Sequence, residues 1–136
     1  MKPFISQIIF LIPPLGEVGR GLLVFIGGGL GSTLRYLIGQ LIPSQGGFPL
    51  GTFLCNILGC FLIGLFNGLV AKMGLSNELR LMLTVGLCGG FTTFSTFSKE
   101  GLTMIGAGEY GMYGLYTLLS ILLGLIAVVI GNHIIH

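Results

Sequence analysis

Charge is scarce in this sequence. Of its 136 residues, 7% are charged and 53% are hydrophobic, and the mean hydropathy is +1.01. A soluble domain carries about a quarter charged residues, so the composition excludes a protein with a fully hydrated surface. The net charge of +2 gives no indication of a nucleic-acid partner. The composition therefore predicts a protein embedded in the lipid bilayer.

Three long stretches contain no charged residue at all. They lie between Arg35 and Lys72, between Arg80 and Lys99, and after Glu109. Because a spanning helix needs about 20 apolar residues, the sequence predicts an all-α membrane protein. Its four transmembrane helices are expected at residues 20–42, 50–71, 78–105 and 111–133.

The apolar run within residues 1–18 is too short to span a bilayer. It ends at Pro13–Pro14, and no small-residue cleavage pattern follows it. We interpret residues 1–18 as a leader at the membrane interface. Residues 19–136 are then expected to form a single four-helix transmembrane domain.

Cysteine pairs with metal-binding or redox spacing are also missing. The three cysteines, Cys55, Cys60 and Cys88, fall in predicted spans and form no CxxC motif. We interpret them as small buried residues and not as a disulfide framework or a metal site. No constellation of histidines and acids shares a depth in the membrane, so we expect no enzymatic activity.

The third predicted span contains the most unusual stretch. Gly89 and Gly90 weaken a helix, and four hydroxyl residues follow within five positions, at Thr92, Thr93, Ser95 and Thr96. We predict a helix break near residues 89–92. A break at this depth is tolerated only where protein or a water-filled cavity satisfies the backbone, and such breaks mark ion or substrate sites. The alternative is a glycine-rich surface for helix packing.

Away from the span ends that carry Glu78, Glu100 and Glu109, the polar residues of the predicted spans are nearly all hydrogen-bond donors, and none is a carboxylate. They are Arg35, Thr52, Asn56, the hydroxyls of residues 92–96, Tyr116 and Ser120. A pathway lined by neutral donors and one cation suits an anion. Two alternatives remain: Arg35 could extend to the interface, although an inward position is favoured, and Asn56 could only join two helices.

Two GxxxG pairs predict close contacts between helices. Gly27 and Gly31 lie in the first span, and Gly64 and Gly68 lie in the second.

Three motifs together resemble the Fluc (CrcB) family of fluoride channels. They are Gly28-x-x-Gly31-x-x-x-Arg35-Tyr36, Gly51-Thr52-x-x-x-Asn56-x-x-Gly59, and Gly89-Gly90-x-Thr92-Thr93-Phe94-Ser95-Thr96-Phe97. The resemblance covers residues 20–133, and its third motif is long and specific. It implies a four-helix subunit of a bacterial inner membrane that forms an antiparallel, dual-topology homodimer. Two fluoride pores, a buried sodium ion at the dimer centre and passive fluoride efflux that relieves toxicity are implied as well.

The resemblance also implies roles for individual residues. Phe94 and Phe97 would line the pores, and Asn56 would be the pore amide, with Thr52 one turn before it. Backbone carbonyls of Gly89 and Thr92 would hold sodium. The remaining members of the implied fluoride pathway are Ser95 and Thr96 beside the phenylalanines, Tyr116 and Ser120 on the fourth helix, and Arg35 on the first.

A homodimer with both orientations requires loop charges that are nearly balanced. Here Lys2, Arg20, Lys72 and Arg80 lie on one side and Lys99 on the other. This modest bias favours cytoplasmic termini and leaves open a heterodimer with a paralogous subunit.

Two other functions compete with a channel. A small multidrug-type transporter also has four helices, but proton-coupled export needs a carboxylate within the membrane. Glu78, Glu100 and Glu109 all lie near predicted span ends, which argues against it. A membrane assembly subunit without transport would need only the GxxxG pairs, but the clustered donors would then have no role.

Overall fold

The computed structural model describes residues 13–136, which form four antiparallel transmembrane segments. Three are α1, Pro13–Leu41, α2, Leu50–Met73, and α6, Tyr110–His133. The remaining segment is interrupted and comprises α3, Asn77–Leu81, a π-helix π1, Met82–Cys88, a short α4, Gly89–Phe91, and α5, Phe94–Gly106. All four segments are long and apolar enough to cross a membrane. The predicted all-α membrane fold is therefore confirmed.

The structure describes only the last part of the predicted leader, residues 13–18. Residues 1–12 lie outside the described residues. α1 begins at Pro13, so the predicted boundary at residue 18 falls inside this helix.

Short turns join the segments, and glycines in these turns adopt the positive φ angles that other residues rarely adopt. Gly46 and Gly47 adopt positive φ angles of 58° and 85° between α1 and α2. Gly74 ends α2 in the left-handed conformation, as glycine does at many helix ends. Ser76 then caps α3, because its hydroxyl accepts a hydrogen bond from the Leu79 N–H at 3.2 Å.

The segments pack so closely that glycines meet backbone atoms of their neighbours. A Cβ atom added to Gly27 would collide with Met82 O, and one added to Gly31 would collide with Leu87 O. These contacts join α1 to π1.

A second close contact joins α2 to α6. An added Cβ on Gly64 would collide with Val128 O, and one on Gly68 would lie 3.0 Å from Asn132 O. Both predicted GxxxG pairs therefore make close helix contacts, and both join helices of the same chain.

The break in the third segment lies at Thr92–Thr93 and not at Gly89–Gly90. Gly89 has helical dihedrals of −61° and −40°, whereas Thr92 and Thr93 are extended. Gly90 remains helical because it packs against α1, where an added Cβ would collide with Gly28 O. The break therefore overlaps the end of the predicted range, residues 89–92, and extends to Thr93. The glycines themselves do not interrupt the helix, and the packing alternative describes Gly90 correctly.

Candidate functional site

Asn56 on α2 forms hydrogen bonds with the backbone at the break in the third segment. Its Oδ1 accepts a hydrogen bond from the Thr93 N–H at 2.8 Å, and its Nδ2 donates to the Thr93 carbonyl at 3.2 Å. The Thr93 hydroxyl in turn accepts the Thr96 N–H at 3.1 Å and caps α5. One amide side chain therefore satisfies both backbone groups of the residue where the helix is interrupted.

Arg35 on α1 donates a hydrogen bond to the end of α4, the short helix before the break. Its Nε donates to the Gly90 carbonyl at 3.0 Å. Carbonyls at a helix end have no intrahelical donor, and a cation is favourable there because of the helix dipole. The side chain consequently points toward the protein and not outward to lipid headgroups.

A cavity of about 280 Å³ lies at the end of the molecule that carries the α1–α2 loop. We call it the loop-side cavity. Its walls include loop residues Pro43, Ser44 and Pro49. Its charged and hydroxyl-bearing residues include Arg35, Thr52, Thr96 and Glu100.

Glu100 corrects the prediction of a lining without carboxylates. Its Oε1 accepts the Thr52 hydroxyl at 2.6 Å, and its Oε2 accepts the Tyr116 hydroxyl at 2.7 Å. The sequence analysis placed Glu100 near a span end, but α5 continues for six residues beyond it to Gly106. Each hydroxyl has a single proton, so Thr52 and Tyr116 cannot donate to an anion while they are bonded to this carboxylate.

A second cavity of about 280 Å³ lies beside the break. We call it the phenylalanine cavity. Its walls are formed by Asn56, Thr92, Thr93, Phe94, Phe97, Ser120 and Ile121. The ring centroids of Phe94 and Phe97 are 5.9 Å apart, and 80% of Phe94 is exposed.

Ser120 contributes a hydroxyl that is free to donate into this cavity. Its hydroxyl oxygen is buried and has no hydrogen-bond partner among the residues that the structure describes. A buried polar atom without a partner is costly, so a ligand that accepts its proton would be stabilised here.

The structure separates the predicted pathway residues into two groups. Arg35, Thr52 and Thr96 line the loop-side cavity, whereas Asn56, Phe94, Phe97 and Ser120 line the phenylalanine cavity. Ser95 is exposed and lines neither of these two cavities.

Tyr116 links the two groups and is fully buried, with 0% exposure. Its hydroxyl reaches Glu100 at the loop-side cavity. Its ring packs against Phe97 of the phenylalanine cavity, with centroids 4.9 Å apart. Tyr116 therefore connects a lining residue of one cavity to a lining residue of the other.

The sequence is similar to a known family and to several named relatives. The family model described as CrcB-like protein, Camphor Resistance (CrcB), matches residues 22–132. The chain is 53% identical over 112 residues to a protein of Phocaeicola vulgatus named fluoride-specific ion channel FluC, covering 81% of this chain and 93% of that relative.

Relatives with the same name occur in other bacterial genera. The identity is 48% over 116 residues with a protein of Bacteroides fragilis, covering 82% of this chain and 91% of the relative. It is 48% over 114 residues with a protein of Thermus thermophilus, with the same two coverages. With most of its length matched by the family model and by these relatives, the chain belongs to the CrcB family of multi-pass bacterial membrane proteins.

Proposed function

We propose that this protein is a fluoride channel that lets fluoride leave the cell passively and so lowers cytoplasmic fluoride. The observation that carries the proposal is the unpaired Ser120 hydroxyl in a small cavity walled by Asn56 and two phenylalanines. The relatives named above bear the name of fluoride-specific channels, which supports the choice of ion.

The phenylalanine cavity offers an anion several weak contacts and no tight trap. The Ser120 hydroxyl can donate a proton, and Asn56 Nδ2 has a second N–H besides the one bonded to Thr93. Phenyl rings have electropositive edges. Because conduction requires binding that is strong enough for entry and weak enough for release, this combination suits a small, strongly hydrated anion.

The loop-side cavity is the proposed entrance. Arg35 places a positive charge there, which attracts anions toward the protein. Glu100 reduces this attraction but holds Thr52 and Tyr116 in position through two hydrogen bonds. Thr96 belongs to this entrance, and Ser95 next to it would contribute only on the exposed side of α5.

An antiparallel homodimer is part of the proposal. Phe94 is 80% exposed although it walls the phenylalanine cavity, so a second copy would complete that wall. A heterodimer with a paralogous subunit is the alternative, and the paralogue would then complete the same wall.

In the proposed dimer, sodium would bind where the helix breaks of the two protomers meet. Its ligands would be the backbone carbonyls of Gly89 and Thr92. In a continuous helix the Thr93 N–H would bond to Gly89 O, but here it donates to Asn56. Thr92 is extended, so its carbonyl lies outside the helical bonding pattern. These two carbonyls fit a hard cation, which prefers oxygen ligands, whereas the Gly90 carbonyl is already bonded to Arg35.

The first prediction tests the function itself. Liposomes that contain the purified protein and are loaded with potassium fluoride should empty once valinomycin carries the balancing potassium. Neither ATP nor a proton gradient should be needed, and chloride-loaded liposomes should stay full. Fluoride retained by liposomes with folded, dimeric protein would refute the homodimeric channel, and co-reconstitution with a paralogue would then test the heterodimer.

The second prediction concerns the phenylalanines. Replacing Phe94 or Phe97 with isoleucine keeps an apolar side chain but removes the ring quadrupole, so fluoride efflux should fall by about tenfold or more. Phe25→Ile is the matched control, because Phe25 is similarly exposed at 75% but lies on α1. Full efflux by Phe94→Ile and Phe97→Ile would show that the rings serve only in packing.

Glu100 gives a specific reason to test multidrug-type transport as well. The acid lies within a spanning helix and lines a cavity, as a proton-coupled transporter would require. The cavity is about 280 Å³, which is at the lower limit of the range of about 300–1,000 Å³ for drug-sized ligands. Uptake of a lipophilic cation driven by a pH gradient, with no fluoride efflux, would favour the transporter.

A further inference from the structure

A groove of about 580 Å³ lies at the end of the molecule opposite the loop-side cavity. We call it the amide groove. It lies between α2, the beginning of the third segment and α6. Polar residues form one part of its lining, namely Asn67, Arg80, Thr84, Asn132 and His133, and the other part is formed by Ile63, Gly64, Val128 and Val129.

The polar part of the amide groove carries a positive charge that is not neutralised. Arg80 donates to Asn77 Oδ1 from Nε at 3.3 Å and from Nη2 at 2.7 Å. This partner is neutral, and the Nη1 group of Arg80 is left to donate to a ligand. Arg20 at the same end pairs instead with Glu17 at 2.9 Å and approaches Glu78 at 3.8 Å. Among the described residues, the two acids at this end are therefore engaged by Arg20 and not by Arg80.

The two amides add donors beside this charge. Asn67 Nδ2 donates to Asn132 Oδ1 at 3.2 Å. This bond orients the Asn132 side chain and leaves its own Nδ2 group available as a donor. A guanidinium and an amide donor that line the same groove are suited to a phosphate group, because arginine donates strong, charge-assisted hydrogen bonds to phosphate oxygens.

The amide groove is separated from the proposed ion path. Between Asn56 and Asn67 on α2, the helix touches the backbone of α6. There an added Cβ on Gly64 would collide with Val128 O, and one on Gly131 would collide with Phe61 O. Two helices in backbone contact leave no passage between them, so the groove is not a continuation of the phenylalanine cavity along the α2–α6 contact.

We infer that the amide groove binds an anionic phospholipid. The phosphate would lie against Arg80 and Asn132, and an acyl chain would follow Ile63, Val128 and Val129 into the membrane. Charge complementarity selects an anionic headgroup, and basic pockets between transmembrane helices bind such headgroups. The groove lies at the ends of spanning helices and combines a polar part with an apolar part, which suits a lipid better than a soluble phosphate compound.

Native mass spectrometry of the purified, full-length protein tests this inference. The probes are phosphatidylglycerol and phosphatidylcholine with the same acyl chains, added separately at equal concentrations. The wild type should retain phosphatidylglycerol at least fivefold better. Arg80→Gln should lose this preference, whereas Lys99→Gln, which removes one positive charge at the opposite end, should keep it. Asn132→Ala should weaken the preference and provides a second variant if Arg80→Gln does not fold.

Three results would overturn the inference. One is equal retention of the two lipids by the wild type, as expected if a second copy covers the groove. Another is an unchanged preference in both Arg80→Gln and Asn132→Ala. The third is a loss of fluoride efflux by Arg80→Gln in liposomes of phosphatidylcholine alone, which would assign the groove to the ion path. Lipid retention is measured without transport, so its outcome is independent of the proposed channel function.

Discussion

Replacing Asn56 with aspartate is expected to reduce fluoride efflux by about a hundredfold or more. The substitution keeps the size of the side chain and the acceptor for the Thr93 N–H. It removes the donor to the Thr93 carbonyl and places a negative charge in the wall of the phenylalanine cavity. Two like charges about 4 Å apart repel by about 4 kcal/mol at an effective dielectric constant of about 20, and about 1.4 kcal/mol corresponds to a factor of ten.

Asn67→Asp is the matched control for this experiment. Asn67 lies on the same helix and also donates through its amide, to Asn132 at 3.2 Å, but it is outside the phenylalanine cavity. Size-exclusion chromatography should show both variants assembled like the wild type. Near-normal efflux by Asn56→Asp, or equal losses in both variants, would remove Asn56 from the ion pathway.

The four spans could be predicted because hydropathy and charge act locally. The second was predicted at residues 50–71 and is α2, Leu50–Met73, and the fourth was predicted at 111–133 and is α6, Tyr110–His133. Lipid around the helices imposes the same requirement on every turn, since each spanning residue must be apolar or paired. A single chain therefore contains enough information for this level of structure.

The exact position of the break could not be predicted in the same way. Glycine propensity indicates Gly89–Gly90, but the helix ends at Phe91. The break is set by Asn56 and Arg35, which are 37 and 55 residues away in sequence from their backbone partners. Partners this distant override local propensity, and a local pattern gives no sign of them.

Glu100 shows a second limit of sequence interpretation. Its position near a span end indicated a solvated acid, yet it bonds to Thr52 and Tyr116 on two other helices. Thr96 and Glu100 are four residues apart and share a helix face. That spacing is the signal that could have placed the acid in the loop-side cavity beside a predicted pathway residue.

Gly89→Val is expected to prevent dimer formation while the protomer still folds. Within the protomer, an added Cβ on Gly89 meets only Thr84 O, at 3.9 Å, which is ordinary contact. Gly89 is exposed and helical, so valine can adopt its backbone conformation at a modest cost in helix propensity. In the proposed dimer, however, this position faces its two-fold copy, where two added side chains would collide and push the sodium-binding carbonyls apart.

Two comparisons distinguish an interface effect from a folding effect. Gly111→Val changes another exposed helical glycine with no atom within 4 Å of the added Cβ, and it should remain dimeric. Thr92→Ser keeps the backbone carbonyl and the hydroxyl bond to Cys88 O, so it should retain both dimer and sodium. Analytical ultracentrifugation and elemental analysis of bound sodium provide the readouts. A Gly89→Val protein that is dimeric and binds as much sodium as the wild type would show that Gly89 does not lie at the two-fold axis, and the sodium site would then have to be abandoned.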